Sequence, residues 1–250
     1  MKKRVVVFIG LLLSLTLHAQ KEFEGKIVYD VKMEMPFLEQ MMLMFMDTLT
    51  QAEKEKALAD FRHTMDSMLV IKQEYFYKNG SYKSLMKFPV LGVEVLQYFD
   101  KKKGLLYNYD PVKEEATYFS VKQKEEGCPE KYEVSNKKAT ILGKSCTSLL
   151  ATDAGYTTTT WYNSATGVIN PEHFKSHKYQ AFDVYTAKAK ALPLKYSLET
   201  GFVNITATAI EIQSMSLKDE EFAIPKFKEL TEVTPGNPLL NLGSQLGGMK

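Results

Sequence analysis

Residues 25–35 alternate strictly. Ile27, Tyr29, Val31, Met33 and Met35 fall on one side, and Val28, Asp30, Lys32 and Glu34 on the other. A period of two with one mostly apolar face predicts a half-buried strand. Pro36 stops it. The period then changes: Leu38, Met41, Met42, Phe45 and Leu49 recur at helical spacing, and Met44 and Met46 widen the apolar arc well beyond one stripe. A second helix opens on Thr50-Gln51-Ala52-Glu53, which has the form of a capping box. Its apolar residues Leu58, Phe61, Met65 and Met68 make one narrow stripe on a charged helix. It therefore reads as a cover lying on something, and the first helix reads as immersed on more than one side. Together they predict a helical insert over residues 37–69.

From residue 70 the pattern is β again. Residues 71–78, Asn79-Gly80 and residues 81–88 give a strong hairpin signal. Further strands are expected over 93–99, 105–109, 116–122, 132–135 and 146–152. Asp153-Ala154-Gly155 then turns the chain into 156–162, where four threonines favour extended backbone. Residues 163–181 read as a long loop through Asn163, Gly167, Asn170 and Pro171. A last hairpin spans 194–198 and 202–212, a short edge segment is expected at 222–224, and the tail 234–250 is broken by glycine and proline. About ten short strands with regular turns argue for a mainly β domain, a barrel or strongly curved sheet, over residues 20–233.

Composition adds compartment. Lys2, Lys3 and Arg4 precede an apolar run over residues 5–17, and Leu17-His18-Ala19 is a small-residue cleavage site. This is the form of a signal peptide, residues 1–19, cleaved after Ala19 or alternatively after Gln20. The run is shorter than the roughly 20 residues of a spanning helix. No later segment is apolar enough to span, and no cysteine near the cleavage site offers a lipid acceptor. The expected location is periplasmic or secreted. Loss of Lys2, Lys3 and Arg4 takes the formal charge from +2 to −1, so nothing marks a nucleic-acid binder. The basic run Lys101-Lys102-Lys103 before Gly104 reads as a solvated turn. The two cysteines, Cys128 and Cys146, suggest a disulfide in an oxidising compartment. The competing reading is two separate buried thiols.

Catalytic motifs are missing from the linear sequence. His173 and His177 are four apart, but Phe174 stands where a zinc-protease helix would place glutamate, and Asn170-Pro171 suggests a turn. Both histidines are expected in solvent, and no metal or cofactor is expected. Glu125-Glu126 and Glu220-Glu221 read as solvated charge. Trp161, the single tryptophan, closes the threonine-rich strand and is expected in the core.

The order of several pieces carries a resemblance. These are Phe23 to Tyr29 as Phe-x-Gly-x-Ile-x-Tyr, then ILGKSC at 141–146, the strand closing on Trp161-Tyr162, ALPLKYSLETG, ITATAIEI and DEEFAIP. Together they resemble secreted families of Gram-negative bacteria related to the periplasmic lipoprotein carriers, the GLPGLI-type proteins among them. Ala191-Leu192-Pro193-Leu194 stands where the latter have Gly-Leu-Pro-Gly. The resemblance implies an incomplete antiparallel β-barrel, a half-barrel with helices over its concave face. It implies a non-enzymatic binding protein for a lipid, an acylated lipoprotein or another hydrophobic ligand. Met41, Met42, Met44, Phe45 and Met46 would then line the ligand site, since methionine adapts to irregular shapes. Alternatively these side chains fill the core between helix and sheet, and the chain is an envelope interaction or assembly module with no small-molecule ligand.

Overall fold

The computed structural model describes residues 21–68, 71–88, 92–124, 131–153, 156–200 and 202–234. The expected signal segment, Cys128, the residues Ala154 and Gly155 of the expected turn, and all but the first residue of the expected tail lie outside them.

Twelve strands form one mixed, open sheet. They are β1 (Gly25–Glu34), β2 (Ile71–Lys78), β3 (Ser81–Phe88), β4 (Val93–Asp100), β5 (Leu105–Asp110), β6 (Glu115–Ser120), β7 (Glu133–Ile141), β8 (Lys144–Asp153), β9 (Tyr156–Tyr162), β10 (Lys195–Glu199), β11 (Asn204–Ser214) and β12 (Glu229–Glu232). Their spatial order is β12-β6-β5-β4-β3-β2-β1-β11-β10-β9-β8-β7. Every pairing is antiparallel except β12 on β6. β1 thus sits in mid-sheet, flanked by β2 and by β11. The sheet coils enough for β7 to touch β11, although three strands stand between them.

The hairpin expected at Asn79-Gly80 forms with both residues at positive φ, 48° and 83°, as a type I′ turn requires. Gly80 meets a second constraint. A Cβ there would lie 2.5 Å from the Cβ of His173, so glycine is needed for backbone and neighbour alike.

Among the described residues, three α-helices stand outside the sheet: α1 (Pro36–Phe45), α2 (Gln51–Met68) and α3 (Phe182–Ala189). The capping box at α2 is present. The Thr50 N–H and hydroxyl donate to Glu53 at 2.8 and 2.7 Å, and the Glu53 N–H points back at the Thr50 hydroxyl at 3.4 Å. A two-point ion pair, Arg62 on Glu39, ties α2 to α1.

The helical insert is where expected, but its environment is not. No residue of α1 is buried. The cover over the sheet is instead the segment expected to be a solvated loop. Residues 171–174 and 179–181 form 3-10 turns and lead into α3. Phe174 is wholly buried among Tyr77, Phe99 and Phe182. Tyr185 and Ala189 of α3 pack with Leu149 and Ala151 of β8. Two ties fix the segment. The Lys178 and Tyr179 N–H groups donate to the Val121 carbonyl just past β6. At its ends, Val168 and Ala191 pair as an isolated bridge, and the Leu192 N–H donates to Gly167 O at 2.8 Å.

Other differences are local. β7 runs on through Lys137 and Lys138, past an irregularity between Ser135 and Ala139, where the polar run hid the strand. Residues 219–222 form a 3-10 turn, not an edge strand, and β12 follows it. Trp161 is buried as expected. Cys146 is a free, buried thiol, and Cys128, its partner in the expected bridge, lies outside the described residues. Cys146 belongs to the apolar core, and its Sγ donates to the Lys144 carbonyl two residues back at 3.4 Å.

Candidate functional site

Between the sheet and the 171–189 cover lies a cavity of about 240 Å³. Residues directly opposite each other in an antiparallel pair share a face, so register alone assembles its floor. Tyr29 faces Gln73, Tyr75 faces Ser84, and Ser84 faces Gln97. On the other arm Tyr196 faces Thr160, and Leu198 faces Thr158. The roof is His177, Tyr179, Gln180, Phe182 and Tyr185.

The floor is polar where a core would be apolar. Gln73 Nε2 donates to the buried Ser84 hydroxyl at 2.8 Å, and the Tyr196 hydroxyl donates to Gln73 Oε1 at 3.2 Å. Gln97 Nε2 donates to Asn108 Oδ1 at 3.1 Å. Amides drawn half out of water need such partners. The rings are also ordered. Tyr82 stacks between Tyr75 and Phe99, with centroids 5.2 and 5.0 Å apart, and Tyr29 lies 6.2 Å from Tyr196.

Several hydroxyls tie the roof or its return strand to the floor. Tyr29 donates to Pro193 O at 2.6 Å, and Tyr185 donates to Ala191 O at 3.1 Å. The Tyr82 hydroxyl is 2.9 Å from His177 Nε2. Burial pushes the His177 pKa down to about 4, so its ring is neutral at pH 7. Burial likewise pushes the Tyr29, Tyr75, Tyr82 and Tyr185 hydroxyls above their ordinary range, and Tyr196 up to about 12. The described lining contains no Asp, Glu, Lys or Arg. On the cover, Lys178 and Asp183 neutralise each other at 2.5 Å. The site therefore offers flat rings, hydroxyls, amides and one neutral imidazole.

At Gln180 and Ala181 the roof bends through two successive left-handed residues, φ 51° and 50°. Neither is glycine, and such conformations cost roughly 1–2 kcal/mol per residue. The ties to Val121 and the burial of Tyr179 and Ala181 hold the bend in place.

The residues expected to line a ligand site lie elsewhere. None of Met41, Met42, Met44, Phe45 and Met46 reaches the cavity. Met41, Met42 and Met46 are half-buried, whereas Met44 is 65% and Phe45 82% exposed. The two histidines are not in solvent either. His177 is in the roof, and His173 Nδ1 lies 3.2 Å from Glu22 Oε1 outside the cavity. Among the described residues, no cluster of three His, Cys, Asp or Glu side chains is placed to hold a metal ion. No described helix is long and apolar enough to cross a membrane. The site has a sequence signal after all: tyrosines at inward positions of several strands, and Phe174, His177, Phe182 and Tyr185 at spacings of three to five.

No family model matches the chain, and neither does any curated protein. Among solved structures, the chain is similar to an uncharacterized conserved protein from Thermus thermophilus. The identity is 10% and the TM-score 0.41, over 65% of this chain and 82% of that one. It is also similar to PNGF-II in two crystal forms, at 11 and 12% identity and TM-scores of 0.43 and 0.44. Those matches cover 90% of this chain but only 33% of PNGF-II. The function is therefore argued from the site itself.

Proposed function

We propose that the chain is an exported, non-enzymatic binding protein that holds a hydrophobic ligand in the cavity beneath the 171–189 cover. In this reading the sheet is a half-barrel of the lipoprotein-carrier kind and the cover closes its concave face. The observation that carries it is the cavity: about 240 Å³ walled by seven tyrosines and Phe182. An engineered apolar cavity of about 150 Å³ binds benzene, and pockets for drug-sized ligands run from about 300 Å³ upward. A compact molecule of two rings, or the end of a longer chain, matches this room. A whole acyl chain does not.

Native mass spectrometry of mildly purified protein, followed by extraction and uptake assays, tests the reading. Expected is a bound or exchangeable hydrophobic molecule in one-to-one ratio. A protein that neither carries nor takes up any such molecule would end it. One observation favours the second reading, an interaction module. Met44, Phe45 and Phe202 expose apolar surface, and Phe37 on α1 lies 5.2 Å from Phe202 between ring centroids.

A further inference from the structure

The chemistry of the cavity lining narrows the ligand, granted the reading above that the cavity is a binding site. We infer that it selects an uncharged, ring-containing molecule bearing one hydroxyl or carbonyl group, and rejects carboxylates of the same size.

Three observations carry this. First, the described lining residues have no ionic side chain, and the nearby Lys178 and Asp183 are committed to each other. An ionised ligand would lose its hydration there without gaining a counter-charge. Second, the walls are flat. The Phe99–Tyr82–Tyr75 stack and the Tyr29–Tyr196 pair present ring faces and edges, which suit another ring in offset or edge contact. Third, the polar groups are unevenly used. The Tyr29, Tyr185 and Tyr196 hydroxyls donate to protein acceptors, and Tyr82 is engaged with His177. Among the described residues, the hydroxyls of Tyr75, Thr158 and Thr160 and the Nδ1 of His177 have no such partner, although all four residues line the cavity. Gln97 uses its amide nitrogen on Asn108 and keeps its carbonyl oxygen for another donor. An occupant with one hydrogen-bonding group finds a partner in this set. A pure hydrocarbon leaves it unpaired.

The same chemistry could come from a free small molecule or from the head group of a larger amphiphile. Titration calorimetry on the full chain at pH 7 uses 2-naphthol, 2-naphthoate, naphthalene and dodecanoate as probes. 2-Naphthol should bind, and 2-naphthoate should bind about a hundredfold more weakly. Naphthalene should bind about tenfold more weakly than the naphthol. Tyr75→Phe should bring the naphthol down to the naphthalene value while leaving naphthalene unchanged. Thr160→Val provides the same comparison if Tyr75→Phe does not fold. A naphthol carrying a dodecyl chain separates the sources: tighter binding than 2-naphthol points to a head group, and exclusion points to a free molecule. Equal or tighter binding of the naphthoate overturns the inference, as does an unchanged naphthol affinity in both variants. Binding of dodecanoate alone overturns it too, leaving a ligand site of another class. No binding by any probe removes the site itself.

Discussion

Two excursions leave the sheet, and they exchange the roles that their sequences suggest. Residues 36–68 carry the stronger apolar signal, yet no residue of α1 is fully buried and its Phe45 stands in solvent. Residues 163–181 read as a broken loop, yet they and the helix that follows bring Phe174, His177, Tyr179 and Tyr185 into burial. The difference teaches that an apolar arc reports what a helix can bury, not where the chain delivers it. Delivery is set by anchors. The second excursion is tied at both ends and in the middle by backbone hydrogen bonds. In the first, an exposed ion pair only joins its two helices, worth about 0–1 kcal/mol, and a ring contact of Phe37 with Phe202 links it to the sheet's last hairpin.

The most direct way to break this comparison is to truncate one aromatic in each excursion. Phe174→Ala should cost about 3–5 kcal/mol, the usual loss for a buried phenylalanine. Phe45→Ala should stay within about 0.5 kcal/mol of the parent. Urea unfolding of both variants checks this, and similar losses would erase the distinction.

The second test is pH. The neutral His177 ring binds a proton only near pH 4 when folded, but at its ordinary value of 6.5 when unfolded. The unfolded chain therefore takes up the proton first as pH falls. This contribution is intact above pH 6.5 and is lost between 6.5 and about 4, to the extent of about 3 kcal/mol. His177→Gln should flatten that part of the stability–pH curve. An unchanged slope in the variant would mean that another group causes it.

Smaller again is Gly80→Ala. It forces a side chain into the left-handed region and against His173, where the β2–β3 turn meets the cover. A loss of about 2 kcal/mol is expected, read as a fall in melting temperature. A restoring effect of His173→Gly in the double variant, which removes the Cβ that would be met at 2.5 Å, would show that the contact, and not backbone strain alone, is responsible. The smallest effect should come from the largest edit. Val31 and Ile71 are paired, so a linker of about six residues can replace residues 35–70 at roughly 3.3–3.6 Å each. The melting temperature should move by a few degrees at most, and cavity ligands should still bind. Collapse of the fold would give α1 and α2 the covering role after all.

Much of the fold is legible because strands announce themselves locally. Asn79-Gly80 and the alternation in residues 25–34 need only neighbours to be read, and both match the observed elements. The Thr50–Glu53 cap is equally local. The site is not legible in the same way. Gln73 and Gln97 look like solvent-facing strand residues until the register places Ser84 and Asn108 beside them. His177 looks like a loop histidine until the chain folds it onto Tyr82. The methionine run gives composition without position, and none of its residues lines the cavity. Cys146 lies in the apolar core, while its expected partner Cys128 lies outside the described residues.

The place of β1 has a consequence for assembly of the chain. Strands β2 to β6 follow one another as hairpins and can form from neighbours alone. β1 gains one partner early, in β2, but its other edge must wait for β11, where Tyr29 meets Ala209. Pairing so distant in sequence closes slowly, because loop entropy is lost before contact is gained. Until then a nascent chain shows a bare row of donors and acceptors along mid-sheet. That row is a natural contact point for a chaperone, and also where two unfinished copies would stick together.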